Sequence, residues 1–183
     1  MRSRISLVTL AGSVALTAVS ALAAGCAAHP AVEHTAASVP AQCAPTPDVD
    51  REQSSGSRGT IEPLTATSLT LCGYGPAPDR KLEAHLVVTD AATIDTLRTA
   101  LNKAKGTGGR TFKCANDSGV VVIEKFQGDG REVDLSQDAA GCGLVSDGDR
   151  SVFDADTAAP GLVLDLLPAD YCRRAFPGQD CPR

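Results

Sequence analysis

Val120-Val121-Val122-Ile123-Glu124-Lys125-Phe126-Gln127-Gly128-Asp129-Gly130-Arg131-Glu132-Val133-Asp134-Leu135 is two strand-forming runs that meet at an Asp-Gly pair. β-Branched residues favour the pleated backbone, and Asp-Gly accepts the positive φ angles of a tight hairpin turn. The turn leaves two registers open. A three-residue loop would set Gln127 opposite Arg131; a two-residue loop would set Lys125 opposite Asp134. Glu124 and Asp134 could approach one another across the hairpin, as a surface pair. In both registers Cys114 and Cys142 fall at the open end of the hairpin, where a bridge needs only a small offset.

Outward from this hairpin the pattern continues. Asp147-Gly148 separates Leu144-Val145-Ser146 from Arg150-Ser151-Val152-Phe153, a second hairpin. Upstream, Ser68-Leu69-Thr70-Leu71-Cys72 alternates polar and apolar residues, and residues 82–89 form another strand candidate with His85 inside it. Between these strands and the long hairpin, Asp90 can cap a helix whose apolar stripe is Ile94, Leu97, Leu101 and Ala104. Lys103 and Lys105 suit its C-terminal end, and Gly106 is positioned to stop it. The apolar run 161–167 is too short to assign to strand or helix, and Pro168 ends it. The expected fold class is α+β: an antiparallel β-sheet of about 4–6 strands with one clear amphipathic helix, stapled by disulfides.

The N-terminal segment reads as an export signal. Arg2 and Arg4 precede an uncharged apolar stretch over residues 5–22, which ends in Leu22-Ala23-Ala24-Gly25-Cys26. Small residues before a cysteine resemble the lipobox of bacterial lipoproteins, which implies that Cys26 is acylated and becomes the mature N-terminus. Ala21-Leu22-Ala23 also fits an ordinary cleavage site that would release a soluble protein, and the apolar run is short for an uncleaved span. Cysteine number favours the lipobox. The chain has seven cysteines, so setting aside Cys26 leaves an even set: Cys43, Cys72, Cys114, Cys142, Cys172 and Cys181. Cys172 and Cys181 flank the turn dipeptide Pro177-Gly178, and with Cys114–Cys142 bridged, Cys43 and Cys72 remain to pair. The expected organisation is a lipoprotein signal peptide over 1–25, a flexible tether rich in Ala, Pro and Ser over 26–59, and a single domain over 60–183.

Composition narrows the function classes. The formal net charge is −5, and losing Arg2 and Arg4 makes the remainder more acidic, so nucleic acid is an unsuitable partner. Aromatic residues are 3% of the chain with no Trp, which disfavours a carbohydrate platform built on stacking rings. Known catalytic motifs are missing: no Gly-x-Ser-x-Gly, His-Glu-x-x-His or Cys-x-x-Cys occurs. Gly106-Thr107-Gly108-Gly109 follows a helix instead of opening one and does not suit a phosphate. His29 and His34 lie on the tether without a fixed partner, so no metal is expected there. Asp147, Asp149, Asp154 and Asp156 lack the glycine and terminal glutamate of a calcium loop and read as a solvated acidic edge. No enzyme, cofactor or metal is expected.

Two resemblances add to this reading. Leu71-Cys72-Gly73-Tyr74, the helix ending Ala100-Leu101-Asn102, Cys114 to Gly119, and Gly141-Cys142 before an Asp-Gly turn resemble small uncharacterised secreted lipoproteins of high-GC Gram-positive bacteria. That likeness implies a module outside the cytoplasm and names no activity. Leu69-Thr70-Leu71-Cys72, the Cys114–Cys142 spacing and Ser151-Val152-Phe153 resemble, more faintly, the bacterial subtilisin inhibitors, which have an antiparallel sheet and two helices. This second likeness implies a reactive bond at Asn116-Asp117. The chain departs from that family there: Asn116 is neither bulky and apolar nor basic, Ala115 replaces a stiffening proline, and the local partner of Cys72 is absent. The expected function is a lipid-anchored binding or structural module on the outer face of the cell membrane, its partner an envelope protein or a secreted protease. A subtilisin-inhibitor-like activity at residues 114–119 is the alternative.

Overall fold

The computed structural model describes residues 40–48, 60–62, 64–107, 118–139, 141, 143–154, 157–178 and 180–181. All belong to one compact unit, Ala36–Arg183. In chain order the elements are β1 (Ser68–Tyr74), β2 (Leu82–Val88), α1 (Ala91–Asn102), β3 (Lys105–Gly106), β4 (Val121–Gly128), β5 (Arg131–Asp138), β6 (Leu144–Ser146), β7 (Ser151–Phe153), α2 (Ala159–Leu166) and α3 (Ala169–Ala175). The strands form one antiparallel sheet in the order β2-β1-β4-β5-β6-β7-β3. The fold is α+β, with seven strands among the described residues instead of the 4–6 expected, and three helices there instead of one.

The additional strand is β3. Lys105 and Gly106 pair with Phe153 and Val152, so the segment read as the end of α1 is the far edge of the sheet. α1 stops earlier, at Asn102, because the Lys103 N–H already closes back on Ala100 and Leu101. Its start is the expected one: the Asp90 carboxylate accepts from the Thr93 N–H at 2.8 Å. The undecided apolar run is α2, begun by Pro160 in its first turn. α3 follows at once, with Pro168 as its N-cap residue.

The central hairpin takes the two-residue register. Gly128 pairs with Arg131, and Lys125 lies opposite Asp134. Asp129 and Gly130 have φ of 52° and 68°, the positive pair of a type I′ turn. The second hairpin closes on four residues between Ser146 and Ser151. There Asp147 accepts from the N–H groups of Asp149 and Arg150 at 2.9 and 2.6 Å and holds the Arg150 guanidinium.

Alternation along these registers sorts the sheet into two faces. One face carries Leu69 and Leu71 of β1, Val122 and Phe126 of β4, Leu135 of β5, Val145 of β6 and Val152 of β7. The three helices cover it with Ile94, Leu97 and Leu101, then Val163, then Tyr171 and Ala175, in one buried cluster. The other face is covered more thinly. Cys72, Tyr74, Val121 and Ile123 form a small cluster with Leu82 and Cys43. Residues 40–48 are fastened over it by the Cys43–Cys72 disulfide, by a Tyr74 hydroxyl donating to the Ala44 carbonyl at 2.9 Å, and by the Leu82 N–H donating to Pro45. Further along that face Lys125 bridges Glu132 and Asp134 at 3.1 and 2.6 Å.

Gly73 fixes how closely α3 approaches the sheet. A Cβ there would lie 2.6 Å from Tyr171 Cζ, and Tyr171 is itself pinned by its hydroxyl bond to the Tyr74 carbonyl at 3.1 Å. Gly73→Ala is expected to lower unfolding free energy by about 1–3 kcal/mol, because the ring has nowhere to move. A urea titration measures this. The penalty should shrink when Tyr171 is Leu; an equal penalty in both backgrounds would show that the ring is not the obstacle.

Candidate functional site

Two of the expected bridges are formed: Cys43–Cys72 and Cys172–Cys181. Cys26, Cys114, Asn116, Asp117 and Cys142 lie outside the described residues. His85 is exposed on β2. Among the described residues, no group of three or more His, Cys, Asp or Glu side chains is placed to hold a metal ion.

The acidic residues are arranged differently from the sequence expectation. Glu124 and Asp134 do not pair, because they sit on opposite faces of the hairpin. Asp134 meets Lys125, whereas Glu124 points into the helix-covered core, level with Leu71 and Leu135. Glu124 is 0% exposed, and neither of its carboxyl oxygens has a hydrogen-bond partner. Burial raises its pKa well above the usual carboxylate range, and the nearby acids Asp154 and Glu62 raise it further. Asp154 is likewise fully buried instead of lying on a solvated edge; Asp156 is outside the described residues. The Gln137 amide donates to Asp154 Oδ2, but Oδ1 has no partner, and burial lifts this carboxyl to about 6. Glu62 Oε1 accepts from the Leu64 N–H at 2.6 Å, and Oε2 is unpartnered. Burial raises Glu62 to about 7 against the pull of that N–H and of Arg98 and Arg150. The Asn102 side chain clamps the Glu62 backbone from α1 through two bonds of 2.9 and 2.8 Å. Carboxyls this deeply buried can store protons but cannot touch a substrate in this conformation.

Among the described residues, a cleft of about 540 Å³ opens between α1, β3 and the turn that leads into α2. That volume is in the range of small-molecule sites. Ala100, Ala104 and Leu162 line the cleft together with Thr96, Thr99 and Thr157; the Thr96 hydroxyl donates to the Ala92 carbonyl and that of Thr157 to the Asp154 carbonyl. Lys103 and Lys105 stand on the rim, exposed, and neither meets a carboxylate among the described residues. Asp95 also lines the cleft, but Arg98 holds it at 2.6 Å and offsets its charge. A second hollow of about 240 Å³ adjoins the first, sharing Thr96 and Leu162 and continuing between α1 and α2 over Leu97 and Leu166. Sequence reading missed this site. Its signal was a second helical stripe, Thr96, Thr99 and Lys103, beside the apolar one.

Compared with known proteins, the chain matches no family model, no curated protein and no solved structure.

Proposed function

We propose that this protein is a lipid-anchored binding module of the cell envelope, held outside the membrane by an acylated Cys26 and engaging its ligand through the α1–α2 cleft. The cleft carries the reading: apolar side chains, threonines and two lysines that meet no carboxylate among the described residues line one concave surface. Anchoring is supported by cysteine number, since two disulfides use four cysteines and the hairpin ends would use Cys114 and Cys142. The test has two parts. Cys26→Ala should move the protein from the membrane fraction to the medium or leave its signal uncleaved; an unmodified wild type cleaved after Ala23 refutes the anchor. A pull-down from native envelope should lose its captured component when Thr96→Trp fills the cleft; capture unaffected by the plug refutes the site.

The second reading is a subtilisin-inhibitor-like protein. It is supported by the antiparallel sheet with its helices on one face and by the long β4–β5 hairpin. Inhibition of subtilisin is expected to be weak or absent. Asn116 would carry a polar amide into a pocket that rewards apolar bulk, at a cost of roughly 1–3 kcal/mol. Tight inhibition abolished by Asn116→Gly, with the circular dichroism spectrum unchanged, would reverse the ranking.

A further inference from the structure

The cleft is polar at one end and apolar at the other. Lys103, Lys105, Thr99 and Thr157 line the wider hollow, the polar end. At the apolar end Ala92, Leu97, Leu162 and Leu166 line the narrower one. Among the described residues, the one carboxylate lining the wider hollow, Asp95, is already matched by Arg98, whereas Asp165 lines the apolar hollow. Among the described residues, the positive charge of Lys103 and Lys105 therefore meets no carboxylate at this end of the groove. From Ala92 to Lys103 the helix rises by roughly 16 Å, at 1.5 Å per residue.

Building on the binding-module reading, we propose that the cleft takes a single-chain amphiphile with an anionic headgroup. The headgroup, a carboxylate or phosphate, lies between Lys103 and Lys105 and accepts from them and from Thr99. The acyl chain runs along α1 past Thr96 and lies over Leu97, Leu162 and Leu166. Charge selects the headgroup: two ammonium groups favour an anion, and Asp165 disfavours the reversed orientation. Shape selects a single chain, because the apolar hollow of about 240 Å³ is too small for two. The protein as a whole is acidic, so the groove is a local exception to its charge and not part of a general anion-attracting surface.

The test uses the full chain carrying Cys26→Ser, so that no acyl group of its own competes. Dodecanoate and dodecyl phosphate are titrated calorimetrically below micellisation, with dodecanol as the neutral control. Saturable one-to-one binding of either anion is expected, and the tighter of the two identifies the headgroup. Lys103→Ala with Lys105→Ala should weaken it about tenfold or more, and dodecanol should bind comparably weakly to both proteins. Both lysines are exposed, so the fold should survive their loss, which circular dichroism checks. Thr96→Trp should abolish binding. No binding, affinity indifferent to the lysines, or association only with anionic vesicles would overturn the proposal. If amphiphile binding fails while envelope capture remains sensitive to Thr96→Trp, the ligand class falls and the binding module stands; if both fail, the module reading falls too.

Discussion

Raising the pH from 4.5 to 8 should destabilise the protein by a few kcal/mol, and Glu124→Gln should remove much of that loss. In the unfolded chain Glu62, Glu124 and Asp154 release their protons near the ordinary carboxylate pKa. In the fold Asp154 keeps its proton to about 6 and Glu62 to about 7, and Glu124 is held well above its usual value. Below the unfolded pKa both states are protonated and nothing is lost. Between the unfolded and folded values the unfolded state binds fewer protons, so stability falls as pH rises, and it stays reduced above that window. Asp90 and Asp170 act in the opposite sense, their pKa values being lowered by Thr93 and Arg174. Both are fully exposed to solvent, which screens their contribution. An unpartnered buried group costs about 1–3 kcal/mol. Glutamine in place of Glu124 cannot ionise, so it removes the charge that the fold would otherwise have to bury as the pH rises. Urea titrations at both pH values should find wild type and Glu124→Gln closest at pH 4.5 and the variant more stable at pH 8. A flat profile for wild type, or stability that climbs with pH, would contradict this account.

The second large effect concerns the Cys43–Cys72 bridge. It closes a sequence separation of 29, against 9 for Cys172–Cys181. Chain entropy alone then assigns about 3–4 kcal/mol to the first and about 2–3 kcal/mol to the second. The first bridge also fastens residues 40–48 over Tyr74 and Ile123, so its loss should expose that cluster. Replacing both Cys43 and Cys72 by Ala should therefore cost more than replacing Cys172 and Cys181 by Ala. Hydrogen exchange should speed up in β1 and the first half of β4. Equal losses from the two double variants would show that residues 40–48 add nothing to the sheet.

The strands were legible where the sequence alternates or turns on Asp-Gly, because period and turn chemistry are local. β3 was not, because two residues carry no period and Lys105 looked like the end of a helix. α3 was hidden for a related reason: seven residues starting from Pro168 hold too few turns for a stripe to emerge. The hairpin register was open from sequence because both alternatives used plausible turns; the positive φ of Asp129 settles it. Glu124 was misread because a charged residue next to Lys125 looks like part of the strand's polar, outward side. The alternation is reversed there: Lys125 is the outward residue and Glu124 the inward one. The cleft depends on α2 packing against α1, a long-range contact with no local signature.

The Cys43–Cys72 bond also decides how the molecule would bear a mechanical load. Tension applied to the chain before Cys43 does not travel through residues 44–71 one by one. It passes through the sulfur bond into β1, which is flanked by β2 and β4 and resists being peeled from an edge. Residues 44–71 lie outside the load path while the bond holds. Reduction returns them to it, and their separation of 29 becomes up to ~100 Å of new contour if they are drawn out. Were the chain held at its N-terminal side, the redox state of this one bond would set how far the domain could stand from that point.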